Sequence, residues 1–565
     1  MKYMPAAIVM FCIHFLILVS CAGGSAVNQK AGKQENLESA ISDFSKGTNL
    51  ASWFQQVDSA HSIPFGRFSE ADFKNFKALG INIIRLPIQF SSMAGPDYIV
   101  DPLLFDLLDQ AVDWAERYKI YIILDNHSSD GSNGPTADAI DAFLVPLWAQ
   151  IADHYKNRSQ FILYEILNEP YGISAEAWGL AQGKAIEAIR QKDKTHTIIV
   201  GGNEWNSIWA LENLPIYNDK NLLYTFHFYD PHIFTHQGAD WGDPPLLTNL
   251  EGLPFPASAH SIPALPPDLK GTAVEEDYKK YARLADPASL AETLDRAVQF
   301  SASRGGVPLF CGEFGVKIGS CLPEDRLRWY KTVAKLLAER SIAWANWDYN
   351  TNFGLFNTEK GGNINSDLDI EIASALGFTA PAQHPIEKIK NNFIVYEDYT
   401  GQDVGINHWD QSVLDLYNKE AAEGKYAVSW SKISTYSEFS FNLSPEIDWE
   451  YLTSQGYALE FKARTNKTAA FDVQLIRYEN AVSVPWRMRF SINKTNLPPD
   501  NQWHTIYIPL KEMKEQGAWI NKTSEWRDPK GLFAWDNIER LAFQAESELP
   551  GCIIYFDSIK IIGDH

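Results

Sequence analysis

One apolar run reads Phe161-Ile-Leu-Tyr-Glu-Ile-Leu-Asn-Glu169-Pro170 and ends on an acidic residue followed by proline. A second reads Val307-Pro-Leu-Phe-Cys-Gly-Glu313-Phe-Gly and also carries an acid at its end. Continuously apolar runs are typical of parallel strands that are buried on both faces. A carboxylate at the end of such a strand is costly to bury unless it has a function. In a parallel α/β barrel the strand ends form the rim that holds the active site. Glu169 and Glu313 are therefore expected to face each other across a cleft.

Such runs recur eight times and alternate with amphipathic stretches, in the order that a (β/α)₈ barrel requires. The candidate strands are Gly47–Trp53, Ile81–Ile88, Ile120–His127, Phe161–Glu169, Thr197–Trp205, Leu222–Tyr229, Val307–Phe314 and Ile342–Tyr349. The candidate helices are Glu70–Leu79, Pro102–Arg117, Ala139–Tyr155, Ala175–Gln191, Ser289–Ser303 and Glu324–Glu339. The pattern predicts an α/β fold, a (β/α)₈ TIM barrel over residues 41–385. An open doubly wound sheet is the alternative, and the lack of a Gly-rich phosphate loop counts against it.

The segment Asp230–Glu276 follows the sixth strand and is long and Pro-rich. It contains Phe234-Thr-His-Gln-Gly238 and Trp241. Long insertions in compact domains are usually functional or disordered. Because this one follows a barrel strand, it is expected to form a wall of the cleft.

Beyond residue 385 helical spacing nearly disappears and short alternating runs take its place. The candidate strands there are Ala427–Trp430, Phe439–Leu443, Ala458–Lys462, Ala470–Tyr478, Trp486–Ile492, His504–Leu510, Arg540–Gln544 and Ile553–Ile562. Alternating runs separated by polar turns indicate an antiparallel sandwich. Residues 386–565 are therefore predicted to form an all-β domain of the sandwich or jelly-roll type.

The N-terminus reads as an export signal. Residues 1–20 combine Lys2 with an apolar stretch too short to span a bilayer comfortably. The stretch ends in Leu18-Val-Ser-Cys21 followed by small residues, which resembles a bacterial lipoprotein signal with Cys21 as the lipidated residue. A simple secretory signal cut nearby is the alternative. Residues 21–40 read as a flexible linker, so the protein is predicted to be exported, with a lipid anchor as its only membrane contact.

The net charge of −22 argues against nucleic acid or an anionic membrane surface as partner. A neutral polymer is indifferent to that charge. After residue 21 the cysteines are Cys311, Cys321 and Cys552, too few for a disulfide framework. A Cys311–Cys321 bridge is the one pairing considered, and free thiols are the expectation. Their spacing matches no zinc site.

Two facing carboxylates suit hydrolysis of a β-glycosidic bond with retention of configuration. One acts as a nucleophile and stays ionised, and the other needs a raised pKa to hold its proton near neutrality. Asn168 supplies an uncharged donor suited to a sugar hydroxyl, and Pro170 cannot continue the strand. Glu165, on the same run, is expected to face the barrel interior without a catalytic role.

Seven motifs in order resemble glycoside hydrolase family 5 over about residues 41–378. They are Lys46-Gly-Thr-Asn-Leu-Ala-Ser-Trp53, Asn82-Ile-Ile-Arg85-Leu-Pro87, Leu124-Asp-Asn-His127, Ile166-Leu-Asn-Glu-Pro170, Phe226-His-Phe-Tyr229, Cys311-Gly-Glu-Phe-Gly315 and Trp344-Ala-Asn-Trp347. Ser128 departs from the pattern, since many members have a second histidine there. That difference affects placement within the family and not the proposed chemistry.

The resemblance implies a role for each matching residue. Glu169 would be the acid/base and Glu313 the nucleophile. Arg85 would keep Glu313 ionised, Tyr229 would orient it, and His227 would lie beside the acid/base. His127 and Asn168 would hold the sugar at the cleavage point, with Trp347 beneath it. The alternatives are a structural ion pair for Arg85 and ordinary packing for the histidines and the tryptophan.

Four further tryptophans, Trp53, Trp205, Trp209 and Trp241, are candidate sugar-stacking platforms, because aromatic rings match the apolar faces of pyranoses. Core packing is the equal alternative for each. No cofactor is expected for catalysis.

The C-terminal region faintly resembles jelly-roll carbohydrate-binding modules through Tyr396-Glu-Asp398 and Tyr555-Phe-Asp-Ser-Ile559. The resemblance implies a structural calcium held by Glu397 and Asp557. A sandwich that only buttresses the barrel is the alternative.

Taken together, these features predict a monomeric retaining endo-β-1,4-glycanase, with cellulose-like glucan as the leading polysaccharide substrate. Mannan, xyloglucan or mixed-linkage glucan would need the same mechanism and different side chains along the cleft. A hypothesis from another class is a non-catalytic glycan-binding lipoprotein.

Overall fold

The computed structural model describes residues 43–128, 135–242, 244–357, 362–402, 404–408, 410–443, 446–479, 484–520, 523–531 and 533–563. The predicted signal (1–20), Cys21 and the linker (21–40) lie outside these residues. Among the described residues, every helix is too short or too polar to cross a bilayer.

Eight parallel strands close into a barrel in chain order, which confirms the predicted α/β class. They are β1 (Lys46–Asn49), β2 (Ile83–Ile88), β3 (Tyr121–Asn126), β4 (Ile162–Glu165), β5 (Thr197–Gly201), β6 (Leu222–His227), β7 (Leu309–Glu313) and β8 (Ala343–Asn346). Closure is made by β1, where Gly47 lies opposite Ile83 on one side and Ala345 on the other. A side chain on Gly47 would meet the backbone oxygen of Ile83, so this contact requires glycine.

The longer helices surround the barrel. Among the described residues of this region, the helices include α1 (Glu70–Leu79), α2 (Pro102–Tyr118), α3 (Asp141–Tyr155), α4 (Ala175–Lys192), α5 (Ile208–Leu211), α6 (His232–Thr235), α7 (Ala273–Leu284), α8 (Pro287–Ser303), α9 (Pro323–Glu339) and α10 (Ile370–Ala375). In α2 the Asp101 carboxylate caps the first turn by accepting the Leu103 N–H, and Pro102 occupies the first helical position. Leu104, Leu108 and other apolar residues at helical spacing are buried, which fixes α2 against the sheet.

Several predicted strands end earlier in the structure. The run predicted as Phe161–Glu169 is a strand only to Glu165, and the run predicted to Trp205 ends at Gly201. After β4 the chain leaves the sheet, although the N–H of Asn168 still donates to the carbonyl of Asn126 at 3.0 Å. Glu169 is therefore a loop residue at the rim, whereas Glu313 is the last residue of its strand.

The C-terminal region is all-β and antiparallel, as predicted. The strands are β9 (Phe393–Tyr396), β10 (Gly405–His408), β11 (Val413–Asn418), β12 (Ala427–Ser431), β13 (Glu438–Asn442), β14 (Ala458–Thr465), β15 (Phe471–Glu479), β16 (Val484–Ile492), β17 (His504–Pro509), β18 (Lys514–Gln516), β19 (Ala518–Ile520), β20 (Glu525–Arg527), β21 (Ile538–Gln544) and β22 (Ile553–Ile562), and helix α11 is Trp449–Ser454. One sheet has the order β10-β13-β21-β15-β16-β18, the other has β11-β12-β22-β14-β17 with β9 paired to β22, and β19-β20 form a hairpin. The core lies between the sheets, where Phe439, Phe543 and Phe556 pack together.

Residues from Asp43 onward form one compact unit. The loop after β1 contacts the β-sandwich: His61 Nδ1 lies 2.7 Å from Asp415 Oδ1, and the Tyr417 hydroxyl donates to the carbonyl of Ile63. The boundary at residue 386 stays a prediction. Cys311, Cys321 and Cys552 are free and buried, as expected.

Candidate active site

A cleft of about 1030 Å³ lies at the carboxyl ends of the barrel strands. Its lining residues come from the loops after most of the strands: Ala51, Ser52, Gln55, Gln56, His127, Asn168, Glu169, Glu204, Trp205, Ser207, Ile208, Trp209, His227, Tyr229, Asp230, His232, His236, Trp241, Glu313, Trp347, Thr351, Asn352 and Phe353. The cleft therefore occupies the end of the barrel where such enzymes carry their active sites.

The two acids singled out from the sequence meet at the floor of this cleft. One carboxylate oxygen of Glu169, one of Glu313 and one ring nitrogen of His227 all lie within 4.8 Å of one another. The Glu169 side chain is 29% exposed and that of Glu313 is 6% exposed. A substrate entering the cleft would thus reach Glu169 first.

Arg85 donates hydrogen bonds both to Glu313, the candidate nucleophile, and to the side-chain amide of Asn168. Its Nη1 donates to Glu313 Oε1 at 2.7 Å, and its Nη2 donates to Asn168 Oδ1 at 2.7 Å. The side chain is fully buried on β2. Charge-assisted bonds of this length are the stronger kind of hydrogen bond, so the guanidinium fixes both groups.

Two further acids hold Arg85 from inside the barrel. Glu165 accepts from Nε at 2.8 Å and from Nη2 at 2.9 Å, and Asp125 Oδ2 lies 3.1 Å from Nη2. Burial alone would lower the pKa of Arg85, but the charges of Asp125, Glu165 and Glu313 outweigh it and raise that pKa well above its usual value. Glu165 faces the barrel interior, as expected. Its two hydrogen bonds with Arg85 were not predicted.

Tyr229 and His227 complete the surroundings of the acids. The Tyr229 hydroxyl donates to Glu313 Oε2 at 2.9 Å, and His227 Nδ1 lies 2.6 Å from Glu169 Oε1. Burial lowers the pKa of His227 to about 4, so its imidazole is neutral near pH 7. Burial, followed by the charge of Glu313, raises the pKa of Tyr229 well above its usual value and keeps its proton available for donation.

The pKa of Glu169 is raised, as a catalytic acid/base requires. Burial raises its pKa to about 7, partly opposed by His127 and Arg85 and supported by the negative charge of Glu165. A carboxyl group titrating near neutrality is suited to give and take a proton in turn.

His127 and Trp347 form the sides of the cleft beside the acids. Their rings are stacked, with centroids 5.6 Å apart and planes inclined by 13°. His127 Nδ1 lies 2.7 Å from Asp125 Oδ2, which fixes the ring. Burial lowers the pKa of His127 to about 4. Both residues line the cleft.

Three of the four candidate stacking tryptophans also line the cleft. Trp205, Trp209 and Trp241 are 56%, 51% and 44% exposed. Trp205 stacks on Tyr171 with centroids 4.9 Å apart, and Arg296 covers one face of the Trp209 ring at 3.9 Å.

The prediction for Trp53 was wrong. Its side chain is fully buried, its Nε1 donates to the carbonyl of Phe65 at 3.0 Å, and its ring is stacked parallel to that of Trp114. The short strand β1 ends at Asn49, and the following turn carries Trp53 into the core beneath the cleft. Its neighbours Ser52 and Gln55 line the cleft instead.

The insertion after β6 forms one wall of the cleft, as predicted. His232 and His236 stack with centroids 4.1 Å apart, and Trp241 lies beside His236 at 6.1 Å. Phe353, from the loop after β8, packs against His236 and Trp241. The two histidines were not singled out from the sequence, although Phe234-Thr-His-Gln-Gly238 was noted as part of the insertion.

Among the described residues, the acids and histidine at the cleft floor are the one group with the spacing of a metal site. Both Glu313 oxygens already accept hydrogen bonds, from Arg85 and from Tyr229. Arg85 therefore supplies the positive charge that a cation would bring. Glu169, His227 and Glu313 are therefore better suited to act as a catalytic pair of carboxylates with a histidine beside it than as ligands of a metal ion.

Asp557, a predicted calcium ligand in the β-sandwich, has both carboxylate oxygens hydrogen-bonded to backbone N–H groups. Its Oδ2 accepts the N–H groups of Ala422 and Glu423 at 2.6 and 3.0 Å, and its Oδ1 accepts the N–H of Ser558 at 2.7 Å. Glu397 is exposed. The residues present do not fit the ion, because the Asp557 carboxylate is occupied in holding a loop.

The model of the cellulase family, glycosyl hydrolase family 5, matches residues 38–353. That match covers more than half of the chain, and the chain belongs to this family. The matched residues include both acids, Arg85 and Trp347.

Curated relatives agree with the family. Endoglucanase 3 of Fibrobacter succinogenes is 28% identical over 348 residues, 57% of this chain and 52% of that protein. Endoglucanase H of Acetivibrio thermocellus is 25% identical over 520 residues, 87% of this chain and 51% of that protein. The chain therefore spans about half the length of these two relatives. Endoglucanase C of Acetivibrio thermocellus is 28% identical over 341 residues, 56% of this chain and 94% of that protein.

Among solved structures, endoglucanase Cel5A of Thermotoga maritima superposes with a TM-score of 0.50 at 25% identity. The match covers 60% of this chain and 99% of that one. The similarity thus accounts for the barrel.

Proposed function

We propose that this protein hydrolyses β-glucans with retention of configuration, using Glu169 as acid/base and Glu313 as nucleophile. The observation that carries the proposal is that one carboxylate oxygen of Glu169 lies within 4.8 Å of one carboxylate oxygen of Glu313. Retaining glycosidases hold their carboxyl groups about 5–5.5 Å apart, whereas inverting ones need about 6.5–9.5 Å to admit a water.

In the first step, Glu313 attacks the anomeric carbon while Glu169 gives its proton to the departing glycosidic oxygen. The glycosidic bond breaks and an ester between the sugar and Glu313 forms. In the second step, Glu169 removes a proton from water, the water oxygen attacks the anomeric carbon, and the ester bond breaks. Both carboxyl groups then return to their starting states.

The surrounding side chains would serve these two steps. Arg85 and Tyr229 hold both oxygens of Glu313, which directs the carboxylate towards the cleft. Neutral His227 contacts Glu169 without adding a charge that would favour early loss of its proton. Asn168 and His127 would bond the hydroxyls of the sugar at the cleavage point, over the ring of Trp347.

The leading substrate is a β-1,4-glucan cut at internal bonds. Support comes from the names of the relatives, all three endoglucanases, and from the exposed rings of Trp205, Trp209 and Trp241 along the cleft. Mannan, xyloglucan and mixed-linkage glucan remain alternatives with the same mechanism. A purely glycan-binding lipoprotein is disfavoured, because both acids and their supporting contacts are intact.

The test is to incubate the protein with a panel of β-glucans and mannans and to measure new reducing ends. Glu169→Ala and Glu313→Ala serve as the matched inactive variants. Size analysis of early products separates internal from terminal cutting. Absence of reducing ends from every polymer would contradict the proposal.

For the β-sandwich we propose a glycan-binding role, supported by a buried polar cluster on the sheet that contains β13, β15 and β21, on the face opposite to that of Phe439 and Phe543. Gln474 Nε2 donates to Gln544 Oε1 at 3.0 Å, and Gln544 Nε2 donates to Glu438 Oε2 at 2.9 Å. In the described part of the chain, Ser440 Oγ and Gln474 Oε1 are buried without hydrogen-bond partners. Neutral amides and unpaired acceptors suit sugar hydroxyls.

This role is tested by electrophoresis of the Glu313→Gln variant through gels containing soluble β-glucan. Gln474→Ala should lessen the retardation, while the exposed Thr505→Ala on the other sheet should not. Equal retardation of both would refute this face as the site. We also propose export with a lipid on Cys21, which membrane fractionation of Cys21→Ser would test.

A further inference from the structure

We propose that Glu165 is a positioning residue for the proposed hydrolysis, holding the Arg85 guanidinium in the orientation from which it fixes Glu313 and Asn168. The inference rests on the proposed function. It gives a positioning role to an acid that contacts Arg85 and lies outside the residues that line the cleft.

The argument begins with the five N–H donors of a guanidinium. Nε–H and one Nη2–H go to the two oxygens of Glu165, at 2.8 and 2.9 Å. The two Nη1 donors go to Asn49 Oδ1 at 2.9 Å and Glu313 Oε1 at 2.7 Å. The remaining Nη2 donor goes to Asn168 Oδ1 at 2.7 Å. Every donor of Arg85 is therefore committed.

The guanidinium is planar and rigid, so a bidentate contact along one edge fixes the directions of its other N–H bonds. Glu165 provides that edge contact from the end of β4, and it is 1% exposed. The opposite donors point at Glu313 and Asn168. Two site residues thus take their positions from one carboxylate behind Arg85.

Arg85 is also surrounded by more negative charge than it can neutralise. Three acids, Asp125, Glu165 and Glu313, lie within 3.1 Å of its nitrogens. Glu165 takes two of the Arg85 donors, and Glu313 and Asn168 take two others.

The negative charge of Glu165 also affects the pKa of Glu169, the proposed acid/base. The charged and titratable groups around Glu165 include Arg85 on β2, Asp125 on β3, His127 after β3, His227 on β6 and Glu169 beyond β4. After burial, which contributes most, the negative charge of Glu165 raises the pKa of Glu169. Removing that charge should let Glu169 lose its proton at lower pH.

The test is Glu165→Gln, which keeps the size of the side chain, removes the charge and leaves only one acceptor for the two Arg85 donors. We expect kcat on a soluble β-glucan to fall at least about tenfold with KM within about twofold, because a displaced Glu313 affects the reaction more than binding. We also expect the basic limb of the kcat/KM profile to move to lower pH. Wild-type kcat with an unmoved basic limb would overturn the proposal.

Asp193→Asn is the matched control. Asp193 is another buried acid, bonded to the Tyr164 hydroxyl at 2.9 Å and outside the cleft lining. It should lower the melting temperature while leaving kcat and the pH profile unchanged. If Asp193→Asn moved the pH profile as Glu165→Gln does, the effect would be a general response to lost buried charge, and the proposal would fail.

Should Glu165→Gln not fold, Glu165→Asp keeps the charge and withdraws the oxygens. It should lower kcat and leave the basic limb in place, and an unchanged kcat would overturn the proposal. Glu313→Gln separates this inference from the proposed function. If that variant were active, the proposed function would fail; if it were inactive while Glu165→Gln matched wild type, only the inference would fail.

Discussion

One carboxylate oxygen of Glu169 and one of Glu313 lie within 4.8 Å of each other across the mouth of the barrel, Glu169 in a loop after β4 and Glu313 at the end of β7. Retaining glycosidases hold their carboxyl groups about 5–5.5 Å apart, whereas inverting ones need about 6.5–9.5 Å to admit a water. The close approach of these oxygens therefore supports the proposed direct attack by a carboxylate.

Replacement of Glu313 by alanine is expected to abolish hydrolysis of every glycan, with a loss of at least about 10⁴-fold in kcat. The reason is that no other group is placed to form the covalent intermediate. Reducing-end release from a soluble β-glucan measures it. A melting temperature close to that of wild type would show that the variant is folded, and substantial residual turnover would refute the role of Glu313.

Glu169→Gln should separate the acid role from the nucleophile role. A natural glycan has a poor leaving group that needs a proton, so its cleavage should fall by about 10²–10⁴-fold. An aryl glycoside with a strongly acidic phenol needs none, so its bond should still break and release one equivalent of phenol in a burst. Equal losses on both substrates would contradict the assignment.

The pH dependence follows from the raised pKa of Glu169. Because the acid must be protonated and its pKa is about 7, kcat/KM should fall tenfold per unit as pH rises above about 7. Neutral His227, with a pKa of about 4, should contribute no change in that range. A profile flat to pH 9 would show that another group supplies the proton.

Trp53 and Trp205 should respond differently to alanine. Trp53 is fully buried, so Trp53→Ala should cost about 3–5 kcal/mol of unfolding free energy. Trp205 is 56% exposed in the cleft, so Trp205→Ala should raise KM several-fold and leave the melting temperature nearly unchanged. Denaturant unfolding and steady-state kinetics check the pair. The opposite pattern would place Trp205 in a structural role.

Chelation should not inhibit the enzyme. Both oxygens of Glu313 are already bonded to Arg85 and Tyr229, and the proposed steps use no cation. Activity after dialysis against EDTA should equal that before it, with the melting temperature followed in parallel. Loss of activity restored by a divalent cation would contradict this prediction.

The sequence predicted the barrel, the all-β region and the cluster of residues around the two acids, because each rests on local patterns. Apolar runs predict strands, and the family motifs, taken together, identify Glu169, Glu313 and Arg85 as one site. It failed for Trp53, because burial of an aromatic ring after a strand depends on how far the strand extends, and β1 stops at Asn49.

Contacts between distant segments that no family motif covers could not be predicted either. Glu165 and Arg85 lie on different strands, and nothing in the run around Glu165 shows that both of its oxygens meet one guanidinium. The same holds for His61 and Asp415, which join the loop after β1 to the β-sandwich. Such pairs are set by the closed barrel and by the packing of the two regions.

The most direct test of the account is proton NMR of the anomeric signals during the first minutes of hydrolysis of a soluble β-glucan. Double displacement by Glu313 and Glu169 predicts that the β-anomer of the new reducing end appears first and then equilibrates. Initial appearance of the α-anomer would mean single displacement by water, and the central claim would be wrong.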